Sequence, residues 1–203
     1  MNRNIGRPRG TVHGRTVPDR ALEAATSLFA RQGYEGTSLQ QVADTIGVTK
    51  GALYHYFPSK EELLYEIYGG VLRRQIENLT RFAESEAPIS DRLRAAARDV
   101  ISSTFDNLEG MTIFFRSLHQ LSDDRQKAVR QERRRYHEVF RGMIEEGQRT
   151  GTFRDDVPAE IAADAFFGSV HHLPTWYQPQ GRHSADEITD AFAELLLRSL
   201  SPR

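Results

Sequence analysis

Residues 37–64, TSLQQVADTIGVTKGALYHYFPSKEELL, constrain this chain more tightly than any other stretch. Ser38 can cap a short helix whose apolar positions Leu39, Val42, Ala43 and Ile46 share one face at helical spacing, and Gly47 then supplies a turn. Thr49 is placed to cap a second short helix. On it, Lys50, Gly51, Tyr54, His55 and Tyr56 gather a cation, a bare backbone site and three hydrogen-bonding rings on one compact element. That is the chemistry of a helix lying in a DNA major groove. Burial in an unrelated helical core would explain Val42, Ile46, Leu53 and Phe57, but not Lys50, Tyr54, His55 and Tyr56 together.

Read in register, Thr37, Val42, Ala43, Gly47, Thr49, Gly51, Leu53, Tyr54, Tyr56, Phe57, Lys60 and Leu63 match the pattern T-x-x-x-x-[IV]-A, a turn glycine, then [ST]-x-G-x-L-Y-x-[HY]-F-x-x-K-x-x-L. At these residues the chain resembles the TetR family of bacterial one-component regulators. The resemblance implies that Lys50, Gly51, Tyr54, His55 and Gln40 touch bases, while Thr37, Ser38, Thr49, Tyr56 and Lys60 hold phosphates. Gln40 points away from the apolar face, as a candidate for adenine contact should.

Charge is distributed in keeping with this. The 203 residues carry a formal net charge of −1, yet residues 1–60 hold eight Lys or Arg against four acids, a local +4 that leaves −5 on the other 143. A basic head on an acidic body concentrates phosphate attraction at one end. Residues 1–16, MNRNIGRPRGTVHGRT, contain four arginines, three glycines and one proline and almost nothing that builds a core, so they read as a disordered basic arm. Within it, Gly6-Arg7-Pro8-Arg9-Gly10 resembles the core of an AT-hook, with Arg7 and Arg9 as minor-groove candidates. A solvated, charged tail explains the same composition.

Helical spacing begins at Val17, continues through Ala21, Leu22, Ala25, Leu28 and Phe29, and stops at Gly33, with Thr16 or Asp19 near its start. Residues 17–58 thus form a three-helix DNA-binding domain containing the helix-turn-helix. Beyond Pro58 the spacing stays helical and no hairpin signal appears. The expected fold is all-α, TetR-like and of about nine helices, residues 59–203 forming a ligand-binding and dimerisation domain. Ser59 and Glu62 make a capping box for a long helix, Pro88 opens another, Gly110 interrupts it before Met111, and a charged helix runs from about Asp123 to Arg149. Pro158 and Ser184 open the last two. Their apolar positions Ile161, Ala165, Phe166, Phe167, Ile188, Phe192, Leu195, Leu196 and Leu197 exceed one buried face. In the family such terminal helices form a four-helix homodimer interface, although core packing within one chain also uses such residues.

An apolar effector cavity has candidate lining in Phe105, Met111, Phe114, Phe115, Leu118, His119, Phe166, Phe167 and Trp176, residues that equally suit a core. Trp176-Tyr177-Gln178-Pro179 with Gly181, followed by Ile188 and Leu195 to Leu197, looks like the C-terminal signature of the TetR branch regulating lipid and steroid breakdown. Members of that branch respond to acyl-CoA thioesters; Gln178 departs from the arginine common there. The expected function is a repressor that binds a palindromic operator as a dimer and is released by a small apolar or acyl-CoA-type ligand. The alternatives are a ligand-binding helical protein without DNA function and a transcriptional activator.

Other chemistry finds little support. The chain has no cysteine, which removes disulfides, thiolate zinc sites and thiol redox sensing. His171 and His172 are adjacent and point about 100° apart on a helix, a poor chelating geometry. No phosphate-cradling glycine loop is present, and Ser117, two residues before His119, lacks a nucleophile elbow. Neither enzyme activity nor a cofactor is expected. No apolar run approaches the ~18 residues a membrane span requires, and no apolar signal core follows the N-terminus, so a cytoplasmic protein is expected.

Overall fold

A computed structural model describes residues 15–202; Arg7 and Arg9, with most of the basic arm, lie outside them. The elements are helical throughout: α1 Val17–Gln32, α2 Leu39–Ile46, α3 Lys50–Tyr56, α4 Lys60–Ala83, α5 Ile89–Asp106, α6 Leu108–Ser117, α7 Asp123–Arg149, α8 Ala159–His171, α9 Leu173–Trp176 and α10 Ala185–Leu200. Among the described residues this makes nine helices of seven residues or more and the single turn α9. The all-α architecture is as expected, and no helix there is long and apolar enough to cross a membrane. The chain divides into two compact units. The first holds the described residues up to Tyr68 together with Ile113–Leu121; the second holds Gly69–Thr112 and the residues from Ser122 onward.

In the first unit, helix ends are tied by the residues that follow or precede them. Thr16 opens α1 with a capping box: its backbone N–H donates to Asp19 Oδ2 (3.1 Å) and its hydroxyl accepts from the Asp19 N–H. Ser38 and Gln41 form the same reciprocal pair at α2, with Ser38 N donating to Gln41 Oε1 at 2.8 Å. Gly47 ends α2 at φ +69°, ψ +39°, the left-handed conformation that glycine adopts without a Cβ penalty. Ala21, Ala25, Leu28, Phe29, Val42 and Ala43 are all buried, and they hold α1 against α2.

The second unit is organised by α5 and α7. α5 packs along α10, where Arg94 donates to Glu194 (2.7 Å) and Arg98 pairs with Asp190. It also reaches α7 through the pair Arg92–Glu146. The same guanidinium donates to the carbonyls of Ala83 (2.6 Å) and Ala87 (2.9 Å), so one side chain secures the link from α4 to α5. Between α7 and α8 lies an aromatic core: Phe140 stacks on Phe166 (4.9 Å between centroids) and His137 stacks on Phe167 (4.0 Å). Ser59 accepts from the Glu62 N–H at 3.0 Å beside the start of α4, and Pro88 and Pro158 stand immediately before α5 and α8 as expected.

Two local expectations are corrected. Gly110 does not interrupt a helix; it lies within α6, and the break falls at Asn107 (φ −124°, ψ +19°). There the side-chain amide donates to the Ser103 carbonyl at 2.7 Å, an alternative to helical pairing that asparagine offers and glycine cannot. The segment after α8 is not all loop, because Pro174 supports the one-turn α9 from its start and Thr175 Oγ1 closes onto the His172 carbonyl (2.7 Å).

Gly147, buried in α7, lies beneath the Phe153 ring, whose nearest atom would sit 2.0 Å from an added Cβ. Gly147→Ala should therefore destabilise the protein by roughly 1–3 kcal/mol, read as a lower urea midpoint, because Phe153 must leave its site. His171 generates a pH prediction. Burial first, then the charge of Arg133 and the neighbouring His137, hold its pKa down to about 4, below its ordinary 6.5. The unfolded chain takes up a proton that the folded chain resists, so the contribution of this neutral ring is complete above pH 6.5 and is lost as pH falls toward 4. Its size is at most about 3 kcal/mol. Unfolding measured at about pH 7.5 and about pH 4.5 should show a smaller acid loss in His171→Leu than in the wild type; equal losses would assign the effect elsewhere.

Candidate nucleic-acid interface

The helix pair α2–α3 is anchored from beneath. Leu53 is fully buried and Phe57 nearly so, which turns the opposite face of α3 outward. On that face Lys50, Gly51, Tyr54 and His55 are all exposed, Tyr54 at 41%. Thr49 caps α3, its hydroxyl accepting from the Ala52 N–H at 3.2 Å. The Lys50 ammonium stands 5.3 Å from the Tyr54 ring centroid, and the His55 and Tyr56 rings meet edge to face at 5.3 Å. Gly51 is the most telling position. A Cβ placed there would meet nothing within 4 Å, so no packing inside the protein calls for glycine. Helix propensity also disfavours it, by roughly 0.5–1 kcal/mol relative to alanine.

Gln40 is exposed on α2, as its spacing required, with its amide donating to Asp44 Oδ1 at 2.7 Å. Ser38 is exposed at the N-terminus of α2, and Tyr56 is half-buried. Two residues expected at phosphates stand differently. Thr37 is 3% exposed, and its hydroxyl donates to the Gly33 carbonyl (2.8 Å) and accepts from Gln32 Nε2 (3.2 Å). Lys60 is folded onto the α1–α2 loop: its ammonium donates to the Tyr34 carbonyl (2.8 Å) and lies 4.3 Å from the Tyr34 ring centroid. Both side chains fasten the frame behind the reading helices, because a buried hydroxyl and a carbonyl at a loop are satisfied only by such partners.

Sequence reasoning missed two residues of this frame. Arg20 donates to the Ile46 carbonyl and so closes the C-terminus of α2 from α1. Gln32 bridges Gly36 O (3.0 Å), Thr37 and Gln41 Oε1 (3.3 Å). Neither lies at an apolar or motif position, and only an unpaired carbonyl at the end of α2 pointed to a need for Arg20.

The residues offered as effector lining are distributed over both compact units. In the first unit Phe114 is fully buried and stacked on Tyr68 (4.0 Å), Phe115 is 38% exposed and edge-on to both rings, Leu118 is half-buried, and His119 is exposed beside Gln120. In the second, Phe166 and Phe167 belong to the α7–α8 core, Phe105 meets Tyr177 edge-on (4.6 Å), Met111 is buried, and Trp176 is 45% exposed, 6.3 Å from Phe192. The surplus apolar residues of the last two long helices are left open. Ile161 is 59% exposed and Leu195 64%, and they flank a groove of about 340 Å³ whose floor includes Ala165, Phe166 and Leu196.

Comparison with known proteins agrees with this geometry over most of the chain. The family described as bacterial regulatory proteins, tetR family, matches residues 21–67, and that described as tetracyclin repressor-like, C-terminal domain, matches residues 86–200. The HTH-type transcriptional repressor KstR2 of Rhodococcus jostii (strain RHA1) is 25% identical over 185 residues, covering 89% of each chain. The TetR family transcriptional regulator PfmR from Thermus thermophilus superposes with a TM-score of 0.79 at 32% identity, covering 91% of this chain and 100% of that one. AibR, solved in complex with isovaleryl coenzyme A and operator DNA, gives a TM-score of 0.74 at 26% identity, covering 89% of this chain and 97% of its own. With matches to both its N-terminal and C-terminal regions, and with a capped helix pair presenting Lys50, Gly51 and Tyr54, the chain belongs to the TetR family of DNA-binding transcriptional regulators.

Proposed function

We propose that this regulator is a repressor that binds a palindromic operator as a homodimer and leaves it on binding an apolar, acyl-CoA-type effector. The observation that carries the DNA reading is Gly51, a helix-weakening residue kept at an open position between Lys50 and Tyr54. Such a site admits close approach of a groove wall to the helix backbone. Lys50, Gly51, Tyr54, His55 and Gln40 are assigned to bases and Ser38, Thr49 and Tyr56 to phosphates, with Thr37 and Lys60 holding the frame. Arg7 and Arg9 are assigned to the adjacent minor groove.

The exposed apolar strip of Ile161 and Leu195 supports the dimer, since a face this apolar is covered in a stable protein and a two-fold axis lets the same strip cover itself. Two heads about one DNA turn apart, ~34–36 Å, then read two half-sites. The effector class rests on the similarity to AibR over 89% of this chain, the AibR complex containing isovaleryl coenzyme A, and on the Trp176-Tyr177-Gln178-Pro179 segment. A thioester acts by preferring the conformation of the dimer that fits DNA poorly.

Fluorescence anisotropy with DNA flanking the gene, at several salt concentrations and with a panel of acyl-CoA thioesters, tests the whole reading. Specific, salt-sensitive binding released by a thioester is expected; specific binding that no thioester relieves removes the effector class alone. In the same assay Gly51→Ala should raise stability by roughly 0.5–1 kcal/mol yet weaken operator binding at least tenfold, and Lys50→Ala should weaken it without loss of fold; unchanged affinity in both would refute the α3 assignment. Leu195→Asp combined with Ile161→Asp should give a folded monomer by light scattering with weakened operator binding, and a persistent dimer would place the interface elsewhere.

A further inference from the structure

α2 carries two adjacent glutamines with different partners. Gln41 belongs to the frame: its Oε1 accepts from the Ser38 N–H (2.8 Å) and from Gln32 Nε2 (3.3 Å). Gln40, on the exposed side of the helix, donates through Nε2 to Asp44 Oδ1 at 2.7 Å, one turn further on. Asp44 is exposed as well, and the helix itself does not call for an acid at that position. It stands in the last turn of α2, where a carboxylate faces the negative end of the helix dipole. An i,i+4 Gln–Asp pair does support a helix slightly, but α2 is already closed at both ends, by the Ser38–Gln41 box and by Arg20 donating to the Ile46 carbonyl. On a surface that approaches phosphates, a negative charge also opposes binding. Asp44 is thus unfavourable in the free head and unfavourable for general DNA affinity, a combination that a role in base selection explains.

The chemistry of the pair fixes the Gln40 amide. A carboxylate only accepts, so the amide turns its nitrogen toward Asp44; turned over, it would set two acceptor oxygens against each other at hydrogen-bond distance. A glutamine amide without such a partner turns over readily and meets donor and acceptor edges alike. Held by Asp44, Gln40 keeps its oxygen and its second N–H for DNA, one acceptor beside one donor. Adenine presents the matching pair in the major groove, the N6–H donor and the N7 acceptor, whereas guanine presents two acceptors, O6 and N7. Against guanine the held amide would place Oε1 on O6, and the carboxylate one turn away would repel the same edge.

We propose that Asp44 sets base specificity without touching a base, by holding the Gln40 amide in the orientation that accepts adenine and rejects guanine. Asp44 is a positioning residue in this role, which rests on the assignment of Gln40 to a base edge made above. The test is selection of bound duplexes from a randomised DNA pool by the wild type and by Asp44→Asn, Asp44→Ala, Gln40→Ala and Lys50→Ala, followed by Kd measurements on the selected duplex and its single-base changes. The wild type should favour adenine over guanine by about tenfold at one position of each half-site, and Gln40→Ala should remove that preference alone. Asp44→Asn and Asp44→Ala should bring it to within about twofold by tightening the guanine duplex, with a thermal melt that is not lowered, since an asparagine amide donates as well as accepts and alanine does neither. In the Gln40→Ala background, Asp44→Asn should leave the base profile unaltered, as required where one residue acts through the other. Tighter binding of every duplex with base ratios intact would make Asp44 a charge and nothing more; weaker binding of every duplex with a lowered melt would make it structural; a Gln40-dependent preference for guanine would reverse the match. Each of these overturns the proposal. Base preferences untouched by Gln40→Ala, with selection abolished by Lys50→Ala, would overturn it and leave the α3 reading standing, whereas no enrichment by the wild type would remove the operator reading and this role together.

Discussion

Helices of eight and seven residues do not hold themselves in water, because nucleation is unfavourable and too few backbone bonds follow it. Everything that α3 can do therefore depends on interactions from outside it: Leu53 and Phe57 buried below, the Thr49 hydroxyl at one end, and the αL turn at Gly47 that sets where the helix starts. The same dependence runs one layer further back. Arg20 closes α2, Gln32 and Thr37 stitch the loop before it, and Lys60 ties the following helix to Tyr34. Polar side chains that could have met a partner instead make a rigid platform, and the exposed face of α3 is left to the partner. Preorganisation of this kind reduces the ordering entropy that binding must overcome.

The body solves a different problem, since its helices are long enough to be stabilised by faces rather than by ends. α7 shows the division most clearly. Tyr136, Phe140, Met143 and Ile144 are buried, Phe140 against the aromatic pair of α8, while Arg130 and Arg134 on the same helix are exposed. His137 and His171 stand where the two environments meet, which is why burial and a nearby guanidinium act on them in the same direction.

Much of this was legible in the sequence, and the parts that were not share a cause. Caps and turns were readable because they are local: Ser38, Gly47 and Thr49 act within a few residues of themselves. The outward face of α3 was readable because Leu53 and Phe57 define the inward one. The intramolecular partners of Lys60 and Thr37 were not legible, because Tyr34 and Gly33 lie on a loop whose path the helical spacing does not specify. Gly110 drew attention as a breaker, yet the break belongs to Asn107, whose side chain competes for a backbone carbonyl while glycine only lowers propensity. The aromatic residues offered as effector lining illustrate the hardest case. Helical periodicity marks Phe114 and Phe167 as inward-facing, but it does not distinguish a filled core from a cavity wall, and both rings turn out to be stacked on neighbours. An open strip such as Ile161 and Leu195 is the converse, since a surplus of apolar positions in the sequence becomes exposed surface only when the remaining faces have been filled.

The division of the chain into units does not respect its helices. α4 begins in the first unit and continues in the second from Gly69, and α6 changes unit between Thr112 and Ile113. A proteolytic or recombinant fragment ending at Pro58 would keep all three helices of the reading head but lose Leu63, Leu64 and Ile67, all buried, and the Tyr68–Phe114 stack. The exchangeable module is therefore not the helix-turn-helix. Swapping reading heads between related regulators has to carry the first turns of α4 and find a compatible α6 in the recipient, which ties the evolution of operator specificity to residues far along the chain.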